Sequence, residues 1–128
     1  MTREEICTYE VCKLAKERGI DVPAHYAYNE NCQKAMYMEL CLNRNTKDSR
    51  SISAPTQSLL QRWLREEKGV FIEICNDVNE KLGRITSRYN IVYDYDGRSS
   101  SVHISCDEYP SYELALEDAI KYALDNLV

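Results

Sequence analysis

The stretch from Ser53 to Cys75 constrains the fold of this 128-residue chain more than any other. Leu59, Leu60, Trp63 and Leu64 recur at helical spacing and fall on one stripe, with Gln57, Gln61, Arg62, Arg65 and Lys68 around the rest. Pro55 suits a first helical turn, where its missing N–H costs nothing, and Gly69 suits the left-handed residue just past the last turn. Burying a large apolar side chain contributes roughly 1.5–3 kcal/mol, more than any propensity difference in the segment. Trp63 and the three leucines are therefore expected to set how the helix docks. Val70, Ile72 and Ile74 then alternate with Phe71, Glu73 and Cys75, the pattern of a strand with one core face.

The flanks are read from this segment outward. Thr2 with Glu5 has the form of a capping box, and Cys7, Val11, Leu14 and Ala15 continue a helix over about 3–18 until Gly19. Residues 24–42 fit two short strands around an Asn29-Glu30-Asn31 turn. Cys32, Ala35, Met36, Glu39 and Leu40 also fit a helix; the hairpin is the reading taken. Residues 43–51 read as a polar loop, and so do 76–83. Tyr89, Ile91, Tyr93 and Tyr95 alternate with Asn90, Val92 and Asp94, and Asp96-Gly97 forms a hairpin turn because both central residues of that turn need positive φ. Val102, Ile104 and Cys106 answer as the next strand, with Ser101, His103 and Ser105 on its other face. Ser111 caps a last helix whose apolar face is Tyr112, Ala115, Leu116, Ala119, Ile120, Ala123, Leu124 and Leu127.

These elements predict one α+β domain over 1–128. A helix, three-stranded antiparallel sheet, helix module spans about 55–127, and a helical N-terminal extension with a short hairpin (1–54) packs on it.

Composition narrows the function classes. Residues 1–54 carry eight Lys/Arg against eight Asp/Glu, residues 55–128 eight against thirteen, and the formal charge is −5. Phosphate binding normally leaves a basic patch or stripe, and none is visible. The six cysteines show no C-x-x-C pair, and His25 and His103 do not complete a zinc pattern, so they read as small core residues of a reduced, cytoplasmic protein and no metal is expected. The opening Thr2-Arg3-Glu4-Glu5 is polar, unlike a secretory leader, and no apolar run approaches the roughly 20 residues that span a bilayer. With four glycines in all, no phosphate loop or dinucleotide fingerprint is present, and no cofactor is expected. Asp94-Tyr95-Asp96-Gly97 matches the start of a calcium loop but lacks the later ligands.

Three segments carry a resemblance. Thr8 to Asp21, Ser53 to Glu66 (Ser-Ala-Pro-Thr-Gln-Ser-Leu-Leu-Gln-Arg-Trp-Leu-Arg-Glu) and Tyr112 to Glu117, in that order, resemble a family of small uncharacterised proteins of gut Bacteroidales and their phages and prophages. The resemblance covers most of the chain outside about 31–52; it implies a mobile-element setting and no activity. A second likeness is topological: helix, three strands and helix is the order of double-stranded-RNA-binding domains, and Pro55 to Gln61 is similar to the opening of their first helix. That family's Gly-Pro-x-His loop is absent, and Tyr112-Glu113-Leu114-Ala115-Leu116 stands where it carries a basic cluster.

No catalytic constellation is present in the sequence. The expected role is a non-enzymatic interaction module with a protein partner, acting through the sheet or the Arg62/Arg65 face. Its candidate surface combines Gln57, Gln61, Arg62 and Arg65 with Tyr89, Tyr93 and Tyr95, since tyrosine buries its ring and keeps a polar tip. The alternative is a nucleic-acid binder using Gln57, Gln61, Arg62 and Arg65.

Overall fold

The computed structural model describes residues 5–29, 32–46, 50–95, 99–105 and 107–128. They form three helices and two three-stranded antiparallel sheets, an α+β architecture. The chain divides into two compact units, one up to Leu60 with Val128 and one from Gln61 to Leu127. The sequence reading divides its two parts at 54/55; the units divide inside a helix, between Leu60 and Gln61.

The first unit contains helix α1 (Tyr9–Glu17) and strands β1 (Pro23–Asn29), β2 (Cys32–Asn43) and β3 (Ser51–Ser53), in the sheet order β2-β1-β3. Helix α1 is shorter than the spacing predicts, because Thr8 is its N-cap and accepts from the Val11 N–H at 3.4 Å. Residues 5–7 instead run extended against the chain before α2 (Gln57–Lys68): Cys7 N–H donates to the Pro55 carbonyl and Gln57 N–H to that of Glu5. Thr2 and its capping box lie outside the described residues. The hairpin reading of 24–42 holds, with residues 30–31 of its turn not described and a second strand twice as long as a typical one. The 43–51 segment is not wholly loop, since Ser51 opens β3 opposite Asn29. Asn45 organises it: its buried side chain donates to the Ile20 carbonyl and accepts from Ser53 N–H, both at 3.0 Å. A buried amide satisfied at both ends ties Ile20, at the end of the turn after α1, to Ser53 of β3.

In the second unit, β4 (Val70–Asn79), β5 (Arg84–Tyr95) and β6 (Ser99–Ile104) follow α2 in the order β4-β5-β6, and α3 (Tyr112–Asn126) packs on β4 and β5. The expected 76–83 loop is a correction: Asn76–Asn79 pair with Arg84–Ser87, leaving only residues 80–83 as the turn, with Gly83 at φ 64°. Gly69, at φ 64°, ends α2 as its sequence position predicts. Pro55 precedes the helix rather than entering it, because Thr56 takes the cap and accepts from Leu59 N–H at 3.2 Å. Leu60 and Leu64 are fully buried, Trp63 is half-buried and Leu59 is exposed, so the docking stripe is narrower than four residues. Ser111 caps α3 and accepts from Leu114 N–H at 3.1 Å. Ala115, Leu116, Ala119, Ile120, Ala123 and Leu124 are its buried face, while Tyr112 is exposed.

Candidate interaction surface

The two faces of the β4-β5-β6 sheet follow from strand alternation. Val70, Ile72, Tyr89 and Ile91 are buried on the face that carries α3. Ring contacts extend that face to the helix, with His103 lying flat on Tyr122, centroids 3.8 Å apart and planes 6° from parallel. Tyr89 adjoins both His103 and Tyr109 at 6.0 Å, and the Tyr109 hydroxyl donates to Asp118 Oδ2. Burial, then the Asp118 hydrogen bond, push the Tyr109 phenol above its ordinary range, so it stays protonated and holds residues 107–111 to α3.

The outer face is where sequence and structure part. A two-residue Asp96-Gly97 loop sets Tyr95 opposite Arg98 and Ile91 opposite Val102, which turns Val102 and Ile104 into the core. The observed register is one residue different, with Tyr95 opposite Ser99, Ile91 opposite His103 and Val92 opposite Val102. A one-residue slip exchanges the faces of the whole strand. His103 is therefore inside, and Val102 and Ile104 are outside, each 59% exposed. Residues 96–98 themselves lie outside the described residues.

Phe71, 50% exposed, faces Val92, which in turn faces Val102, giving an apolar row across all three strands with Ile104 beside it. Below the row the face is polar. Glu73 and Asn90 come next, then Cys75 and Arg88, and Arg88 Nε donates to Asp77 Oδ2 at 2.8 Å. An apolar patch with a polar rim is the anatomy of a protein-binding surface.

The predicted site residues do not form one surface. Gln57 and Tyr89 are buried, and Tyr93 is half-buried opposite Val70. Tyr95 ends β5, and its side chain lies outside what is described. Gln61 is half-buried and donates to the Ile72 carbonyl at 3.0 Å. Of the predicted residues whose side chains are described, Arg62 and Arg65 are the exposed ones, Arg62 bonding Glu66 one turn on at 2.9 Å. Phe71, Val92, Val102 and Ile104 are missing from the predicted surface because their alternation reads equally well as core; the register decides between the two. The cysteines divide as well: Cys7 and Cys12 are buried as expected, whereas Cys41 is exposed and Cys75 half-buried. Among the described residues no cluster of His, Cys, Asp and Glu is arranged to hold a metal ion, and no helix is long and apolar enough to cross a membrane.

Comparison with protein-family models, curated proteins and solved structures gives no match to this chain.

Proposed function

We propose that this protein is a non-enzymatic interaction module that engages a partner protein through the outer face of the β4-β5-β6 sheet. The row Phe71, Val92, Val102 carries the reading. An antiparallel sheet with one face on its core ordinarily turns polar residues to water on the other, and here both faces are apolar at one end. The likeness of residues 53–66 to proteins of phages and prophages supports an accessory role in a mobile element of the cytoplasm. Nucleic-acid binding is the second reading, supported by the exposed Arg62 and Arg65 on α2 and opposed by the net charge of −5.

Tagged full-length protein, captured from its host with and without nuclease, tests both. The first reading expects a protein partner that survives nuclease and is lost with the doubly substituted Phe71→Asp, Val102→Asp chain at unchanged circular dichroism. Equal capture by that variant sinks it. A partner lost to nuclease instead, with binding that falls steeply with salt and weakens on Arg62→Ala, establishes the second.

A further inference from the structure

We infer that the partner engages the outer face by strand addition: an extended segment, apolar at every second position with lysine or arginine between, pairs antiparallel with the free edge of β6. This deepens the reading above and rests on it, because the added strand widens the same face.

The ladder shows which main-chain groups β6 leaves over. Ser105 N–H donates to the Tyr89 carbonyl at 2.9 Å, so by alternation His103, Ser101 and Ser99, opposite Ile91, Tyr93 and Tyr95, also turn their main-chain groups to β5. Ser100, Val102 and Ile104 turn theirs the other way, and β6 is the last strand of its sheet. Six consecutive pairs without a register shift keep this edge regular.

The opposite edge is handled differently. The same alternation turns the main-chain groups of Ile72 on β4 away from β5, and there the Gln61 side-chain amide of α2 donates to the Ile72 carbonyl at 3.0 Å. Among the described residues no hydrogen bond reaches the outward groups of Val102 or Ile104. Edge strands are usually guarded by charge, proline or a bulge. β6 reads Ser-Ser-Ser-Val-His-Ile, with no proline and no Lys, Arg, Asp or Glu.

The edge itself selects its occupant. Free donors and acceptors that recur every second residue, about 6.8 Å apart, are matched by another extended backbone and not by a helix. Residues of that backbone opposite Val102 and Ile104 place their side chains on the outer face, where they continue the row Phe71, Val92, Val102 by a fourth strand. Those positions are therefore apolar. Residues 94–128 carry eight Asp/Glu against two Lys/Arg, so basic residues suit the positions between, and a second copy of this chain would bring like charge to like.

The probe is a short synthetic peptide of alternating lysine and valine added to the full chain. In the free chain the Val102 and Ile104 amides are expected to exchange with solvent quickly and the His103 amide slowly; the peptide is expected to slow the first two about tenfold or more. Ile104→Pro and Ser100→Pro each remove only an outward N–H, so circular dichroism is expected to stay unchanged while the peptide Kd rises about tenfold or more. Methylating the valine amides of the peptide is expected to do the same, and methylating the lysine amides to do little, since those N–H groups face away from β6. Val102 and Ile104 amides already protected in the free chain overturn the inference, as does no binding at about 1 mM peptide. So does a valine-methylated peptide, or one with glutamate in place of lysine, that binds as tightly. A dimer of the chain that Ile104→Pro dissociates makes the occupant a second copy and overturns it too. A host partner lost with Phe71→Asp, Val102→Asp but kept by both proline variants leaves the face reading standing and removes strand addition; a partner kept by all of them removes both.

Discussion

The two sheets of this protein reach the same number of strands by different means. In β4-β5-β6 the backbone does the pairing: ten consecutive residue pairs join β4 to β5 without interruption, and six join β5 to β6. In β2-β1-β3 the register shifts twice along the β1–β2 ladder, and polar side chains take over where the main chain is missing. Arg44 bridges three carbonyls, and Asn45 links Ile20 to Ser53. The first kind of sheet depends on apolar burial behind a regular ladder. The second concentrates its cohesion in a few polar residues whose removal leaves several backbone groups unpaired.

Substitutions sharpen the contrast. The largest effect is expected in the regular sheet's core, where Ile91→Ala and Leu124→Ala each remove a fully buried side chain and cost about 2–5 kcal/mol in chemical denaturation. In the irregular sheet an exposed-to-half-buried arginine is expected to matter almost as much: Arg44→Ala lowers stability by about 2 kcal/mol, and Arg44→Lys restores little because an ammonium cannot fork across three acceptors. If Arg44→Ala behaves like an ordinary surface change, within about 0.5 kcal/mol, the distinction between the two sheets fails.

Smaller effects follow. Thr8→Ala is expected to cost about 1 kcal/mol by removing the α1 cap, a loss read in chemical denaturation. Thr86 Oγ1 on β5 is buried with no hydrogen-bond partner among the described residues, so Thr86→Val is expected to stabilise by up to about 1 kcal/mol, a gain visible as a raised Tm. Tyr109 supplies a pH signature. Its folded-state pKa lies above the unfolded value of 10.0, so its contribution is complete below that pH and is lost as pH rises through the folded pKa. Denaturation midpoints are expected to fall in the alkaline range for the native chain and to fall less for Tyr109→Phe.

Much of the regular unit was legible in one dimension. Ser111, Gly69 and the α3 face Ala115 to Leu124 each carry a local signal, a cap, a positive φ or a 3.6-residue period, that needs no distant partner to be read. The N-terminal boundary of α1 failed for the opposite reason. Residues 5–7 have helical spacing, but pairing with Pro55 and Gln57, some fifty residues away, gives their backbone a better use.

The candidate surface shows the same division. Alternation in Phe71, Val92, Val102 and Ile104 is a property of the sequence, and so is the exclusion of a phosphate loop or a basic stripe. Which side of the sheet those residues occupy turns on a register one residue away from the tight-turn expectation, and period-two alternation fits both registers equally. On its own the chain determined its α+β class, the existence of most of its helices and strands, and the apolar parity of each. Tertiary structure alone decided that Val102 faces outward while His103 stacks on Tyr122, that Gln57 and Tyr89 are buried, and that Arg44 stands in for a strand. Those choices rest on contacts between residues far apart in the chain, whose free energy no local pattern encodes.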